Sequence, residues 1–338
     1  MSAQALPVEV AAPPVMRVEG LTMHFPAGGG VGPFGTRRWI HAVDDVSFDL
    51  TPGRVTALVG ESGSGKSTVV RCLARLYEPT AGTIMFHGED VTHLKQRKEL
   101  LQYRAQVQMI FQDPFGSLNP VKTVEHHIER PLKIHHIVPR NEIHRRVLDL
   151  LSSVGLSPAQ EFAAKYPHQL SGGQRQRVAI ARTLAVEPTV LLADEPISML
   201  DVSIRIGILN LMHELKASRN IAFLYITHDI ASARYIADDV LVMYAGQVVE
   251  QGPTDAVLQN PLHPYTRLLL SAVPNPEAGL TGRRIQGRGE VPVVIDPPEA
   301  CRFTARCPNV MDRCRTAMPR LAEVEPGHLV RCYLYPNS

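Results

Sequence analysis

Long apolar runs are missing from this chain. No stretch approaches about 18 consecutive apolar residues, so no helix of its own is expected to cross a bilayer, and any tie to a membrane has to run through a partner. Charge imbalance is missing too. The 338 residues carry a formal net charge of only +2, which removes any general electrostatic pull toward nucleic acid. No internal repeat of solenoid length is present. Met1 to Pro14 are small and apolar but lack a basic leader and a hydrophobic centre. They read as a disordered tail rather than a signal peptide. Cysteine is scarce and uneven: of five, one is Cys72 and the other four lie between Cys301 and Cys332. With no export signal the expected setting is cytosolic, where such a cluster is more often metal-binding than disulfide-bonded. What remains, 44% hydrophobic and 20% charged residues, is the composition of a folded protein with one large domain and additions, or two domains.

Val15 to Phe25 reads as a strand, and Pro26 to Gly35, rich in glycine and proline, as a loop or hairpin tip. Ala42 to Leu50 alternates as a strand should, Thr51-Pro52-Gly53 turns, and Val55 to Val59 is a short apolar run suited to a buried parallel strand. After Gly65, helical spacing runs through Val69, Val70, Leu73 and Leu76. From Val121 to Tyr166 only helical spacing is found (Val147, Leu150, Leu151, Val154), which predicts an inserted helical subdomain. A helix after Gln174 runs toward Leu184. Strand Thr189 to Ala193, helix Ile204 to Leu215, and strands Ile221 to Ile226 and Val240 to Met243 follow. This alternation predicts an α/β core with a mostly parallel sheet. Past Pro274 the chain turns rich in Gly, Pro and Arg and ends in a small appendix.

Gly60-Glu61-Ser62-Gly63-Ser64-Gly65-Lys66-Ser67-Thr68 fits G-x-x-x-x-G-K-[ST]. Glycines at Gly60, Gly63 and Gly65 let the backbone curl so that several N–H groups converge on one anion. The helix beginning near Lys66 adds its positive end. Lys66 can reach the β- and γ-phosphates of ATP, and Ser67 can offer its hydroxyl to Mg²⁺. A chance match is weighed down by the strand before the loop and the helix after it. Thr189 to Ala193 then delivers two acids: Asp194 suits a Mg²⁺ ligand at a strand's C-terminal end, and Glu195 a general base for the attacking water. Alone, that pair would be an acidic turn.

Leu170-Ser171-Gly172-Gly173-Gln174-Arg175-Gln176-Arg177 resembles the signature sequence of ABC ATPases. Gln112, in Phe111-Gln112-Asp113-Pro114, resembles the Q-loop glutamine of that family. Ser198-Met199-Leu200-Asp201 resembles its D-loop, and His228, in Ile226-Thr227-His228-Asp229, its switch histidine. The resemblance implies a P-loop NTPase (RecA-like) core of α/β class, with an antiparallel β subdomain, the inserted α-helical subdomain and the C-terminal appendix. It implies catalysis by Glu195, His228 and Gln112, and Mg²⁺ held by Ser67, Gln112 and Asp194. ATP would be bound by Gly60, Ser62, Gly63, Gly65, Lys66, Ser67 and Thr68 of one subunit, and by Ser171, Gly172, Gly173 and Gln174 of another. Phe25 would stack on the adenine, with Trp39 as a rival. Only one set of motifs is present, so a second ATPase subunit is required, expected as a heterodimer.

Phe111-Gln112-Asp113-Pro114-Phe115-Gly116-Ser117-Leu118-Asn119-Pro120, His263-Pro264-Tyr265-Thr266-Arg267 and the cysteine tail narrow the resemblance to oligopeptide/dipeptide importer ATPases. That implies two transmembrane permease subunits, an extracellular or periplasmic solute-binding protein, no nucleic-acid partner, and a place at the cytoplasmic face of the cell membrane. It divides the chain into a tail (1–14), an ATPase domain (15–275, helical subdomain about 118–170) and a C-terminal region (276–338). Ser198-Met199-Leu200-Asp201 departs from the usual Ser-Ala-Leu-Asp and is associated with oligosaccharide-importing relatives, so the cargo stays open between peptides and oligosaccharides. Soluble ABC ATPases of translation or DNA repair usually carry two modules or a long coiled-coil insertion; this chain has neither.

The four clustered cysteines are spaced C-x5-C-x6-C-x17-C, with Arg302, Arg306, Arg313, Arg315 and Arg331 beside them. Adjacent positive charge is expected to favour thiolate, the ligand form. Reduced structural thiols and a Cys₄ zinc site both remain open on spacing alone. The family resemblance implies a 4Fe–4S cluster on Cys301, Cys307, Cys314 and Cys332, serving as a structural clamp. Cys72 is expected to be ordinary core.

Overall fold

The computed structural model of the chain describes residues 13–28, 37–113, 116–271 and 292–336. Residues 1–12 of the expected tail, residues 29–36 of the glycine-rich stretch, Pro114 and Phe115, and the link at 272–291 with the expected domain boundary lie outside the described residues.

Strands β1 (Met16–Ala27) and β2 (Arg38–Leu50) pair antiparallel, from Met16 against Leu50 to Ala27 against Arg38. β3 (Val55–Val59) is buried along its whole length. Its side chains alternate between two cores: Leu58 enters the one beneath the antiparallel sheet, while Val55, Ala57 and Val59 enter the other. α1 (Lys66–Leu73) follows the glycine loop and sends Val69, Val70, Cys72 and Leu73 into the first core. Burial pushes the Cys72 thiol up to about 12, as suits a core side chain. β4 (Ala81–Phe86) and β5 (Glu89–Asp90) complete a four-stranded sheet in the order β2-β1-β4-β5. α2 (Arg97–Gln106) then leads into β6 (Val107–Ile110).

The insertion is helical. α3 (Val124–Ile134), α4 (Ile143–Ser153) and α5 (Ala159–Ala164) bury Ile128 and Leu132, Val147, Leu150 and Leu151, and Phe162 against one another and the second core. Thr123 caps α3 by accepting the His126 N–H at 3.3 Å. α6 (Gly172–Leu184) returns the chain to the sheet. β7 (Val190–Asp194), α7 (Val202–Arg219), β8 (Ala222–Thr227), α8 (Ile230–Ile236) and β9 (Asp239–Tyr244) then alternate as expected.

β10 (Gln247–Pro253), α9 (Thr254–Gln259), α10 (Pro264–Ser271), α11 (Asp312–Thr316), β11 (Ala322–Glu325) and β12 (His328–Val330) finish the chain. The main sheet runs β11-β12-β10-β9-β3-β8-β7-β6. It is parallel from β9 to β6 and antiparallel beyond. The C-terminal appendix adds its hairpin to the edge of the core sheet, with Glu250 opposite Val330. Glu250 is fully buried, and its carboxylate accepts the backbone N–H groups of Leu262 (2.7 Å) and His263 (2.8 Å). It also lies 2.8 Å from Nε2 of His328, so one satisfied carboxylate ties β10, the start of α10 and β12 together.

Candidate functional site

Parallel pairing aligns strand ends. Val59 sits opposite Thr227, Asp194 opposite Ile226, and Ile110 opposite Ala193. The loops leaving β3, β7, β8 and β6 therefore open on one edge of the sheet, where α/β proteins bind ligands. There they line a cleft of about 810 Å³, bounded by Gly60, Glu61, Ser62, Gly63, Gly65, Lys66, Ser67, Thr68, Gln112, Glu195 and His228.

The glycine loop is forced tight. Gly65 has φ +106°, and a Cβ there would run into the carbonyl oxygen of Ala42 and the Cε of Met243. Gly60, at φ +155°, lies against the Met243 carbonyl in the same way. Lys66 Nζ donates to the Gly60 and Glu61 carbonyls, both at 2.8 Å, so its ammonium spans the cradle. Burial lowers its pKa, against the opposing pull of Glu195, Asp194 and Glu61. Ser67 Oγ donates to Asp194 Oδ1 at 3.1 Å. Burial raises the Asp194 pKa, the Ser67 hydrogen bond opposes that, and the charge of Glu195 adds to it. Hydroxyl and carboxylate thus meet at the phosphate end in a set of oxygens suited to Mg²⁺.

Glu195 follows β7 in a left-handed conformation (φ 45°), with its backbone N–H donating to the Ile226 carbonyl at 3.0 Å. Gln112 Nε2 donates to one carboxylate oxygen at 3.0 Å, and His228 Nδ1 lies 3.0 Å from the other. Of the three expected catalytic residues, Gln112 and His228 therefore each meet Glu195. The signature residues lie elsewhere. Ser171 caps α6, its Oγ accepting the Gln174 N–H (3.3 Å) while Gln174 Oε1 accepts the Ser171 N–H (3.0 Å). Gly172 and Gly173 pack beside Leu200 and Ile204. None of Ser171 to Gln174 lines this cleft. Phe25 packs edge-on against Tyr77, with ring centroids 5.4 Å apart, and neither it nor Trp39 borders the cleft. Ile40 and His41 of β2 do, together with Val293 and Val294.

The last two come from the C-terminal region. His41 N–H donates to the Val294 carbonyl (2.8 Å) and Asp296 N–H to the Trp39 carbonyl (3.0 Å), so residues 292–296 run along β2 as an extra edge. Sequence reading missed this wall, as it missed Tyr265, whose hydroxyl accepts the Glu61 N–H at 3.0 Å. His24 Nε2 and His41 Nδ1 flank Asp44 at 2.5 and 2.9 Å. Arg302 also binds this carboxylate, so its charge is already balanced and the trio is a hydrogen-bonded network.

Four of the arginines beside the cysteines turn away from the thiols, which corrects the expectation from adjacency. Arg302 turns to Asp44 and the Ala245 carbonyl, Arg306 to Glu61, and Arg331 to Asp45 and the Val248 carbonyl. Arg313 lies over the Tyr333 ring at 4.5 Å. Burial instead raises Cys301 and Cys307, and pushes Cys332 up to about 11. All four cysteines are free, and Cys332 lies close enough to Cys307, Cys301 and Cys314 to feel their charge. Cys301 N–H donates to the Cys314 carbonyl at 2.9 Å.

Comparison with known proteins agrees with this arrangement. Residues 43–198 match the ABC transporter family, and residues 249–314 match the C-terminal region of oligopeptide/dipeptide transporters. The chain is 45% identical over 298 residues to the oligopeptide transport ATP-binding protein AppF of Bacillus subtilis, covering 88% of this chain and 90% of that one. It is 43% identical over 328 residues to YkfD of the same organism, covering 96% and 97%. Among solved structures, the ATP-binding cassette MJ0796, seen as a dimer bound to ADP and Pi, superposes with TM-score 0.62 at 29% identity, covering 71% of this chain and 98% of that one. CbiO1 from Clostridium perfringens gives TM-score 0.62 at 30% identity, covering 73% and 91%.

Proposed function

This chain belongs to the ABC transporter ATP-binding family, in its oligopeptide/dipeptide branch, and on that premise we propose that its ATPase activity drives import of di- and oligopeptides. The observation that carries the reading is the joining, in one chain, of an ABC cleft to a C-terminal region of the oligopeptide/dipeptide type. The glycine loop and Lys66 hold the triphosphate, and Ile40, His41, Val293 and Val294 bound the end away from the phosphates, where the base lies. Ser67, Asp194 and Gln112 would hold Mg²⁺, which when bound neutralises charge on the β- and γ-phosphates. Glu195 takes the proton from the attacking water, Gln112 and His228 orienting its carboxylate.

Ser171 to Gln174 lie off the cleft and serve the site of a second ATPase subunit, whose own signature completes this one. Among the described residues no helix is long and apolar enough to cross a membrane. As in oligopeptide/dipeptide importers, the chain works from the cytoplasmic face through two permease subunits, fed by a solute-binding protein. Residues 15–275 make up the ATPase domain, residues 118–170 its helical subdomain, and residues 276–338 the C-terminal region. Cys301, Cys307, Cys314 and Cys332 would hold a 4Fe–4S cluster. What supports that reading is that the four thiols are free and that Cys332 lies within electrostatic reach of the other three. When bound, the cluster supplies a cross-link between α11 and the segments on either side.

A strain lacking this chain is expected to lose uptake of labelled di- and oligopeptides, with wild type restoring it and Glu195→Gln failing to. Intact peptide uptake with lost oligosaccharide uptake would overturn the peptide reading and favour the cargo suggested by Ser198-Met199-Leu200-Asp201.

A further inference from the structure

Glu61 is an acid in an anion-binding loop, and three contacts decide where it sits. Its backbone N–H donates to the Tyr265 hydroxyl (3.0 Å) and its carbonyl accepts from Lys66 Nζ (2.8 Å). Both its carboxylate oxygens accept from Arg306, Nη1 and Nη2 each at 2.9 Å. The bidentate fork fixes direction as well as charge. The Arg306 side chain is only 8% exposed and its guanidinium lies 5.7 Å from the centroid of the Tyr244 ring, so its own place is set by packing. It stands between Cys301 and Cys314 and next to Cys307, in a segment held by the Cys301 to Cys314 backbone bond.

We infer that Arg306 is a positioning residue for ATP: from the C-terminal region it holds and neutralises the Glu61 carboxylate, which would otherwise face the triphosphate in the cleft. The inference rests on reading that cleft as the MgATP site. An unpaired carboxylate there opposes ligands in proportion to their phosphate charge, because the cleft wall screens less than bulk water does. Removing the guanidinium is thus expected to weaken MgATP by roughly ten- to hundredfold, MgADP by less, and adenosine hardly at all. Removing the carboxylate as well takes away the repulsion.

The test is equilibrium binding of MgATP, MgADP and adenosine to the full chain by titration calorimetry, for wild type, Arg306→Ala, Glu61→Gln and the double variant. The expected result is a graded loss in Arg306→Ala that the double variant recovers to within about threefold of wild type, since the partnerless carboxylate is gone. Equal losses for all three ligands, or no recovery in the double variant, would overturn the role and leave Arg306 as a packing residue. Should Arg306→Ala not fold, Glu61→Gln decides: it leaves Arg306 unopposed near the phosphates and is expected to bind MgATP as tightly as wild type or tighter. A tenfold loss there refutes the inference. If wild type itself binds no MgATP, the reading of the cleft fails and not merely the role of Arg306.

Discussion

Glu195→Gln separates binding from chemistry. The substitution keeps the side chain's volume and one acceptor oxygen, so the contact from Gln112 at 3.0 Å can persist. The negative charge and the basicity are lost. A positioned general base contributes about 10²–10⁴ in rate, so turnover should fall by that factor, about 3–5.5 kcal/mol in barrier. Nothing that holds the phosphates is touched: Lys66 bonds to Gly60 and Glu61 carbonyls, and Ser67 to Asp194. The Asp194 carboxyl is pushed up by burial and further by the charge of Glu195. Neutralising Glu195 removes that second cause, so Asp194 ionises more readily and MgATP affinity should hold or rise slightly. The assay pairs phosphate release, with the chain assembled alongside its ATPase partner, with equilibrium ATP binding. A turnover loss under about tenfold would refute the assignment of Glu195 as base. So would a parallel loss of ATP affinity, which would make it a binding group.

Other consequences follow from single positions. Gly65→Ala places a Cβ against the Ala42 carbonyl at φ +106°, so MgATP affinity should drop by at least about tenfold. Thermal unfolding of the variant checks that the rest of the fold survives. His263 is fully buried, and burial, with Arg267 nearby, pushes its pKa down to about 3. Below the unfolded value near 6.5 only the unfolded chain gains this proton, so the stabilisation is complete above about pH 6.5 and declines as pH falls toward 3. Between pH 6.5 and 5 the loss is about 2 kcal/mol. His263→Asn should flatten the acid limb of urea midpoints measured across that range, and an unchanged limb would contradict the linkage. Chain purified without oxygen should carry iron rather than zinc, and Cys314→Ser should lose it together with several degrees of thermal midpoint. A colourless, iron-free protein with full activity would sink the cluster proposal.

Local signals read well and distant ones did not. The glycine loop, the strand before it and the helix after it are contiguous, so spacing alone placed them. The helical insertion was legible because Val147, Leu150, Leu151 and Val154 follow the period of one helix face, and all are buried. β4, α2 and β6 were missed because their apolar positions are few and their burial is decided by partners far along the chain. The wall at Val293 and Val294 is built against β2, and Arg306 meets Glu61 across 245 residues, with no pattern near either to announce the contact. Reading the arginines as partners of the neighbouring thiols failed for a related reason. Adjacency in the chain does not fix where a long side chain points. Arg302 and Arg306 reach away from the cysteines, toward the partly buried carboxylates of Asp44 and Glu61.

Those ion pairs change what the C-terminal region is. A module appended to the ATPase domain would share few contacts with it and could move or unfold by itself. Here β12 continues the core sheet through β10, buried Glu250 bonds His328 of β12, and residues 292–296 lengthen the edge at β2. Arg302, Arg306 and Arg331 cross to Asp44, Glu61 and Asp45, and Glu61 belongs to the phosphate loop. Each link crosses from the cysteine-bearing segment to the ATPase core, and two of them, Arg306 and the edge at 292–296, end at the wall of the cleft. Unfolding that segment would strip the cleft of its Val293–Val294 wall and leave Glu61 unpaired beside the phosphates. The ordered state of the C-terminal region and the ATP-competent state of the glycine loop are therefore expected to be coupled. Any coupling between them is reciprocal: to the extent that ordering the cysteine segment favours nucleotide binding, bound nucleotide stabilises that segment.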